Sequence, residues 1–389
     1  MQFPHDRPPI VGIVGAGQLA RMIYQAAIPL GIDLRILAER ADDAAALIAS
    51  QMTIGDPDSP ADLVAFARDC DVVTFDHELV NALALQTLEA SGQLVRPSAN
   101  TVSFAQDKQR QRELFAHHHL PEPAFRAITS VPEIVQFADD YGWPVVAKAR
   151  RGGYDGRGVW VLHDASEARA LIPALIEAGT ELLVETWVAI DRELAVVIAR
   201  RPTGEAIAYP VVETIQRDGI CREVIAPAAI APDLAAAAQQ LAGAVGEAVG
   251  VVGVMALELF LAGDELSINE IAARPHNAGH FTIEGCRTSQ FEQHLRAILD
   301  WPLGAVELTS DAVAMVNILG DANGGDPMQS LTAALADPGV HVHLYGKAAR
   351  PGRKLGHVTV LARSIADARS RAHTAASRLG TPALLEVRR

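Results

Sequence analysis

Two alternating apolar segments on either side of a short glycine turn constrain the fold of this chain more than any other feature. Residues 254–261 and 266–271 flank Gly263-Asp264-Glu265, and this pattern predicts an antiparallel β-hairpin. Side chains alternate between the two faces of a strand, so the position of the turn decides which residues lie opposite each other. A shift of one residue would separate side chains that otherwise face each other.

The hairpin carries two acidic residues in apolar surroundings. With the turn centred on Asp264, Glu258 lies directly opposite Glu270, while the side chain of Asn269 starts on the other face. Two carboxylates about 4 Å apart repel each other by roughly 4 kcal/mol at an effective dielectric near 20. A divalent cation would offset this repulsion, and Mg²⁺ suits carboxylate oxygens that are shared with substrate phosphates. The alternative is that one acid is protonated or is paired with Arg274.

A loop with four glycines between two short apolar strands is the second strong signal. It lies within residues 145–161 and lacks the helix and the Gly-Lys-Ser/Thr sequence of a Walker A loop. Glycines let backbone N–H groups approach an anion closely, and Lys148 on the incoming strand supplies a positive charge. The pattern favours a lid over nucleotide phosphates, and the alternative is an ordinary mobile hairpin. Residues 181–188 form an apolar strand and a connector that could pair an adenine edge through backbone groups.

Two polar loops farther along the chain are candidates for binding anions. The loop 272–280 leaves the acidic strand; there Arg274 can clamp an oxyanion, and His276 or His280 can donate or shuttle a proton. The segment 345–357 packs four cations into eight positions of a chain whose formal net charge is −14. Its glycines shape it into a turn, and we interpret it as a phosphate site. The alternatives are incidental histidines in the first loop and a solvated charge run in the second.

The first hundred residues alternate strands and helices, which predicts a parallel sheet with helices on both faces. The turn Gly15-Ala16-Gly17 matches a loose dinucleotide pattern, and Glu39 lies where a ribose-binding acid would fall, so nicotinamide binding stays open. Residues 100–119 predict one helix, followed by a linker at 120–123. Three consecutive histidines end that helix. They point about 100° apart and cannot converge on one metal ion.

Composition excludes several classes of protein. The 389 residues include 33 Lys and Arg against 47 Asp and Glu, which argues against a uniformly basic nucleic-acid binder. No apolar run is long enough to span a membrane, and the N-terminus lacks the pattern of a signal peptide. The three cysteines lie far apart and form neither a disulfide framework nor a zinc spacing. We therefore expect a soluble, cytoplasmic enzyme of two or three domains that binds neither nucleic acid nor a membrane.

The order of these motifs resembles the ATP-grasp superfamily. Within it, the chain is similar to the family of 5-(carboxyamino)imidazole ribonucleotide synthetases, which are biotin-independent carboxylating enzymes of purine biosynthesis. The most specific motifs are Gly-Tyr-Asp-Gly at 153–156, His-Asn-Ala-Gly-His at 276–280 and Arg-Pro-Gly-Arg-Lys at 350–354. Together with the first glycine turn and the Asn-Glu pair of the hairpin, they span nearly the whole chain in order.

The resemblance implies an α/β ATP-grasp fold of three domains, assembled as a homodimer. A Rossmann-like (preATP-grasp) N-terminal domain covers 1–105. The ATP-grasp domain at 106–303 contains the glycine lid (121–190) and the metal hairpin (254–272). A small C-terminal α/β domain at 304–389 closes on the ribonucleotide phosphate.

The resemblance also implies the reaction, in which ATP drives the carboxylation of 5-aminoimidazole ribonucleotide by bicarbonate. Bicarbonate attacks the γ-phosphate to form carboxyphosphate, and the exocyclic amine captures the carboxyl group or the CO₂ released from it. ADP and phosphate are the other products. Arg274 is our candidate for stabilising carboxyphosphate by electrostatic preorganisation.

Site residues are carried over from the family onto matching positions of this sequence. Those assigned to catalysis are Lys148, Arg274 and His276, and those assigned to Mg²⁺ are Glu258 and Glu270. The ATP-binding set is Lys108, Lys148, Gly153, Tyr154, Asp155, Gly156, Arg157, Gly158, Val159, Glu185, Thr186, Trp187, Val188, Glu193, Gln216, Asn269 and Glu270. The set for the ribonucleotide is Tyr154, Asp155, Arg274, His276, Asn277, Lys347, Arg350, Arg353 and Lys354.

Three positions depart from the family pattern. Residues 74–79 read Thr-Phe-Asp-His-Glu-Leu, so only Glu78 carries over; Gln216 stands where relatives place a histidine, and Ala278 where serine is common. Two other hypotheses stay open. One is a formate-using glycinamide ribonucleotide transformylase of the same superfamily, which the cationic turn argues against. The other is a dinucleotide-binding regulator or oxidoreductase that uses only the glycine turn at Gly15.

Overall fold

The computed structural model describes residues 7–153, 156–321 and 324–381. Tyr154 and Asp155, which were assigned to both ATP and the ribonucleotide, lie outside the described residues. The described chain is mixed α/β, as the resemblance implies, and its strands form three sheets. No helix within these ranges is both long and apolar enough to cross a membrane.

The N-terminal part is a parallel sheet flanked by helices, which confirms the predicted alternation. Its elements in chain order are β1 (Ile10–Val14), α1 (Gln18–Ala27), β2 (Asp33–Ala38), β3 (Met52–Ile54), α2 (Pro60–Ala67), β4 (Val72–Phe75), α3 (Ala82–Ala90) and α4 (Ala99–Gln106). The strands lie in the order β3-β2-β1-β4. Two apolar clusters, one containing α1 and the other α2 and α3, cover the sheet, so its central strands are hydrophobic on both faces.

The prediction of a single helix over residues 100–119 is wrong, because the helix breaks at Asp107. A new helix, α5 (Lys108–His117), begins there. The Asp107 carboxylate accepts hydrogen bonds from two backbone N–H groups of its first turn, at 3.0 and 3.3 Å. The same carboxylate binds the side chains of Arg150 and Arg151, both in the segment that enters the glycine lid. The break therefore ties α5 to the base of the lid.

A four-stranded antiparallel sheet carries the glycine lid. Its elements are β5 (Phe125–Ile128), α6 (Val131–Tyr141), β6 (Val145–Ala149), β7 (Val159–Leu162), α7 (Ala165–Glu177) and β8 (Leu182–Thr186). The strands lie in the order β5-β8-β6-β7, and α6 and α7 pack on one face. The lid connects β6 to β7, while the central strand β8 leads directly into the predicted adenine connector.

A nine-stranded antiparallel sheet contains the acidic hairpin. The elements from this point on are β9 (Arg192–Arg200), β10 (Ala206–Ala208), β11 (Val212–Arg217), β12 (Ile220–Ala226), α8 (Pro232–Ala248), β13 (Gly253–Ala262), β14 (Glu265–Ala272), α9 (Thr282–Gly285), α10 (Gln290–Ile298), β15 (Ala312–Leu319), α11 (Leu331–Ala334), β16 (Val340–Leu344), β17 (Lys354–Ala362) and α12 (Ile365–Arg378). The order is β14-β13-β9-β11-β12-β15-β17-β16, with β10 beside β9. Since β12 pairs with β15, the segment after residue 304 continues the same sheet.

The hairpin pairs Glu258 with Glu270, as predicted, but for a different reason. Its turn is centred between Gly263 and Asp264, and in that register Glu258 would face Asn269. A β-bulge adds Asn269 as an extra residue of β14, and beyond the bulge Glu258 pairs with Glu270. The prediction that the Asn269 side chain starts on the face away from the acids is therefore wrong.

Candidate functional site

A cleft of about 1700 Å³ lies between the N-terminal sheet, the lid sheet and the hairpin. Pockets for one small ligand measure roughly 300–1,000 Å³, so this cleft has room for more than one ligand. Residues at the start of α1, in the lid, in the acidic hairpin and in the cationic turn line it. All described residues that the sequence assigned to a site line this cleft, with the exception of Gly158.

The acidic pair has a lysine beside it. Lys108 Nζ donates a hydrogen bond to the Glu270 carboxylate. Burial alone would raise the pKa of Glu270, but the charge and hydrogen bond of Lys108, together with the charge of Lys148, lower it overall. Burial, and after it the charge of Glu270, raises the pKa of Glu258 to about 8. The alternative partner considered for the pair, Arg274, forms its ion pair elsewhere.

The donor set at the acidic pair fits Mg²⁺. Two opposed carboxylates supply hard oxygen ligands, and the amide of Asn269 lies 3.3 Å from Glu258 Oε2 and 3.4 Å from Lys148 Nζ. Within the described ranges no group of three His, Cys, Asp or Glu could hold a metal ion alone. The remaining ligands would be water or ligand oxygens, as is usual for magnesium shared with phosphates. The histidines at 117–119 lie exposed.

Sequence reasoning missed Arg112, which is almost fully buried between the lid sheet and the hairpin. Its Nε donates to Glu185 Oε1 at 2.7 Å, and Lys148 Nζ lies 2.7 Å from the other oxygen of the same carboxylate. Burial would raise the pKa of Glu185, but these two cations lower it to about 2. The Glu185 side chain is thus directed at two cations. The spacing along α5 could have pointed to Arg112, because it follows Lys108 by four residues and therefore lies on the same face of the helix.

Another part of the cleft is lined by the connector after β8 and by residues of β9 and β11. Trp187 and Val188 follow β8 outside the sheet, and the Trp187 side chain is 48% exposed. Glu193 on β9 lines the same cleft, and burial raises its pKa to about 7. Gln216 also lines the cleft, beside a register shift in the pairing of β11 with β12. This part of the cleft therefore offers an indole, backbone groups and the Glu193 carboxyl group, which together can hold a ring and a hydroxylated sugar.

Arg274 and His276 lie beside the acidic pair. Arg274 binds Glu78 through Nε and through Nη2, the latter at 2.9 Å from Oε1, which gives Glu78 a defined partner. His276 Nδ1 accepts a hydrogen bond from the N–H of Ala278 at 3.3 Å, so the neutral ring carries its proton on Nε2, 3.4 Å from Glu258 Oε1. Burial, and after it the charge of Arg274, lowers the pKa of His276 to about 3. The imidazole is therefore neutral at pH 7.

The side chain of Asn277, predicted to contact the ribonucleotide, is held by a second asparagine that the sequence did not point to. Asn277 and Asn317 of β15 exchange two side-chain hydrogen bonds, at 2.9 and 2.8 Å. Asn317 also donates to the carbonyl of Cys221 at 3.0 Å. Ala278 is buried in the adjacent apolar cluster. The Arg-His loop is thus anchored to the C-terminal strands.

We expect Asn317→Ala to lower the free energy of unfolding by about 1–3 kcal/mol, because it leaves the Asn277 amide without its partner in a mostly buried place. Equilibrium unfolding in urea measures this change. Asn100→Ala, at an exposed position of α4, is the control and should stay within about 0.5 kcal/mol of the unchanged protein. Equal losses in the two variants would contradict the anchoring role.

The cationic turn faces the glycine turn across the cleft. Lys347, Arg350, Arg353 and Lys354 all line the cleft, and Lys347 Nζ donates to the side-chain oxygen of Gln18 at the start of α1. Burial, and after it the charge of Arg353, lowers the pKa of Lys347 to about 8. Four cationic side chains on a shaped turn fit a phosphate group.

The glycine turn itself holds a carboxylate of the protein. The N–H of Gly17 donates to Asp76, and a Cβ at Gly15 would overlap Asp76 Oδ1. Asp76 is buried, and burial raises its pKa. Since this carboxylate occupies the turn, where a dinucleotide would place its pyrophosphate, the geometry argues against the nicotinamide hypothesis. Glu39, the proposed ribose-binding acid, is exposed after β2.

Comparisons with known proteins agree along most of the chain. Three family models match: a ribonucleotide synthetase preATP-grasp domain over residues 9–106, an ATP-grasp domain over 113–291, and a phosphoribosylaminoimidazole carboxylase C-terminal domain over 313–371. The chain is 47% identical over 375 residues to the N5-carboxyaminoimidazole ribonucleotide synthase of Mycobacterium tuberculosis, which covers 95% of this chain and 87% of that one.

Solved structures lead to the same group of enzymes. The carboxyaminoimidazole ribonucleotide synthase from Aspergillus clavatus, complexed with ATP, matches with a TM-score of 0.88 at 34% identity and covers 96% of this chain and 98% of that one. The N5-carboxyaminoimidazole synthase from the same organism, in complex with ADP and 5-aminoimidazole ribonucleotide, matches with a TM-score of 0.87 at 32% identity, covering 96% and 99%.

Proposed function

The chain belongs to the family of N5-carboxyaminoimidazole ribonucleotide synthases, and from this premise we propose that the cleft described above brings together ATP, bicarbonate and 5-aminoimidazole ribonucleotide. It is an ATP-grasp ligase that carboxylates the ribonucleotide in purine biosynthesis. One observation carries the proposal: an acidic pair with two lysines and a turn with four cations line the same cleft, with Arg274 in the loop that follows the acidic strand.

ATP takes the side of the cleft formed by the lid and the hairpin. Lys108 and Lys148 would face its phosphates, and the backbone after β8 would hold the adenine. Glu258 and Glu270 would hold Mg²⁺, which supplies positive charge that neutralises the phosphate oxygens when it is bound. Lys108 keeps Glu270 charged and oriented, because it contacts that carboxylate directly, and Lys148 reaches the side chain of Asn269.

Bicarbonate reacts beside Arg274. An oxygen of bicarbonate forms a bond to the γ-phosphorus, the bond from that phosphorus to the bridging oxygen breaks, and ADP leaves. The exocyclic amine then forms the carbon–nitrogen bond, and phosphate leaves with the electrons of the broken carbon–oxygen bond and takes up the proton that the amine loses. The Arg274 guanidinium stabilises the carboxyphosphate oxygens. His276 stays neutral, and its Nε2 lies 3.4 Å from Glu258 Oε1, so it lies beside that carboxylate without adding charge.

The ribonucleotide phosphate binds at the cationic turn, and this gives a pH dependence that can be tested. Below its pKa of about 8, Lys347 carries the charge that attracts phosphate, and above it the side chain is neutral. The KM for the ribonucleotide should therefore rise as the pH increases through about 8. Lys347→Arg keeps its charge, so its KM should stay level between about pH 7 and 9. The KM for ATP is the internal control, and equal rises in both proteins would contradict the assignment.

We also propose that the enzyme is a cytoplasmic homodimer. Its three cysteines, Cys70, Cys221 and Cys286, all lie among the described residues; they are buried and form no disulfide bond, which suits a reducing compartment. Sedimentation velocity at micromolar concentration should give twice the mass of one chain. A single species with the mass of one chain would contradict the dimer.

Labelled substrates distinguish carboxylation from the formate-using alternative. With ATP, Mg²⁺ and 5-aminoimidazole ribonucleotide present, label from ¹⁴C-bicarbonate should enter an acid-labile ribonucleotide product. Label from ¹⁴C-formate should not enter any product, with either aminoimidazole or glycinamide ribonucleotide as acceptor. Incorporation of formate with the glycinamide acceptor would replace the proposed reaction with the transformylase reaction.

A further inference from the structure

The edge of β14 that has no neighbouring strand is held by one face of α5 and by the carbonyl of Pro121, which accepts from the N–H of Ile268 at 2.9 Å. This strand is the last of the nine-stranded sheet, so β13 pairs with only one of its edges. Along the other edge, Lys108 donates to the Glu270 side chain, Gln111 accepts from the N–H of Ile271 at 3.3 Å, and Arg112 donates to two backbone carbonyls. Positions i, i+3 and i+4 of a helix share one face, so these three side chains act as a substitute for a neighbouring strand.

Arg112 binds at the bulge itself. Its Nη1 donates to the carbonyl of Ile268 at 3.1 Å and its Nη2 to the carbonyl of Asn269 at 2.8 Å. Asn269 is the extra residue whose insertion shifts the register so that Glu270 faces Glu258. A bulge leaves backbone groups without ladder partners, and buried carbonyls need a donor. The guanidinium supplies that donor.

The same guanidinium is fixed from the side of the lid sheet. Its Nε donates to Glu185 at 2.7 Å, Nη1 lies 3.7 Å from Glu122, and Lys148 binds the second oxygen of Glu185. Arg112 and Glu185 side chains are each only 2% exposed. A planar fork can serve three acceptors in fixed directions, which the single ammonium of a lysine cannot do.

We propose that Arg112 is a positioning residue for the magnesium–nucleotide site. It stabilises the bulge that turns Asn269 into the cleft and sets Glu270 opposite Glu258, and through Glu185 it fixes the direction of Lys148. Without these bonds the two carbonyls at the bulge lose their donor. The regular register, in which Glu258 faces Asn269, then becomes more favourable relative to the bulged one. The identity of the ligand rests on the proposed function, whereas the stabilisation of the bulge by Arg112 does not.

Hydrogen exchange in the ligand-free protein tests the control of the bulge. In Arg112→Met, the backbone N–H groups of residues 268–271 should exchange at least about tenfold faster than in the unchanged protein, because the bulge opens locally. Arg200→Met is the matched control: it also removes a guanidinium that donates to a backbone carbonyl, that of Val251 at 3.2 Å, and should leave 268–271 unchanged. Unchanged exchange of 268–271 in Arg112→Met would overturn the proposal.

Binding of Mn²⁺·ADP, measured by calorimetry without the ribonucleotide, tests the consequence for the site. Arg112→Met should weaken binding by about 10- to 100-fold, as loss of a group that orients metal ligands does. The KM for 5-aminoimidazole ribonucleotide should change by less than about threefold. Arg112→Lys keeps the buried charge and should recover part of the loss, and it replaces the methionine variant if that one does not fold. Binding equal to the unchanged protein in both variants would overturn the proposal.

Failure of the proposed function is a separate result. If the unchanged protein binds no Mn²⁺·ADP, the nucleotide assignment fails, whereas accelerated exchange at 268–271 in Arg112→Met would still support the role of Arg112 at the bulge.

Discussion

Glu270→Gln should reduce the rate of phosphate release from Mg·ATP by about a thousandfold. Glutamine has nearly the same shape but no charge, so the acidic pair keeps one carboxylate in place of two. Lys108 also loses the ion pair that holds it beside the site of the phosphates. Both the cation and the lysine would then be held less firmly, and the transition state loses charge stabilisation from each. Steady-state phosphate release at saturating substrates measures the effect.

The matched control for this variant is Glu265→Gln, on the same hairpin strand but exposed to solvent. It makes the same change of charge and should stay within about twofold of the unchanged enzyme. A Glu270→Gln enzyme that keeps more than about a tenth of the rate would contradict the role of the acidic pair.

Arg274→Met should lower the rate of carboxylation by about a hundred- to a thousandfold. Among the described residues, Glu78 and the carbonyl of Pro275 use three of the five N–H groups of the guanidinium, two and one respectively. Two N–H groups are left for the oxygens of a reacting anion. Removing the guanidinium takes away these donors and leaves the Glu78 carboxylate to repel bicarbonate. Formation of labelled product at saturating ATP measures the loss, and the KM for bicarbonate should rise.

Two further variants separate charge from position. Glu78→Gln keeps the Arg274 charge but loosens its orientation, so it should cost about tenfold in rate, and the double variant should be no worse than Arg274→Met alone. Arg287→Met, at an exposed position, is the control and should be neutral. An Arg274→Met enzyme within about tenfold of the unchanged rate would contradict stabilisation of carboxyphosphate by this residue.

Much of the site could be predicted because its residues are carried by local patterns. The glycine loop, the hairpin and the cationic turn can each be recognised from a short segment of sequence, and the structure brings all three to one cleft. The predicted pairing of Glu258 with Glu270 is confirmed, but the predicted turn centre at Asp264 is wrong by half a residue. The bulge at Asn269 adds one residue to β14 and so restores the predicted pairing.

The features that the sequence did not reveal depend on contacts between distant segments. The bulge in β14 accepts hydrogen bonds from Arg112 of α5, more than 150 residues earlier, and no local pattern around residues 268–270 predicts it. The same holds for Asn317, which holds Asn277 from a later strand. Asp107 is a different case, because aspartate is a common N-cap and could have been recognised as the start of a new helix. The residues on both sides of it also fit a helix, so the break between the two helices was not predicted.

The division into 1–105, 106–303 and 304–389 stays a prediction. Because β12 pairs with β15, the second and third of these segments share one continuous sheet. We therefore expect that a chain ending before residue 304 would expose the edge of β12 and would not fold as a stable unit.

The most direct test of the central assignment is phosphate release from Mg·ATP with the purified protein, measured with all substrates and with each one omitted in turn. We expect release that requires both 5-aminoimidazole ribonucleotide and bicarbonate, matches the carboxylated product in amount, and disappears in Glu270→Gln. No release under any combination, or release at full rate without the ribonucleotide and without bicarbonate, would contradict a cleft that couples ATP to carboxylation.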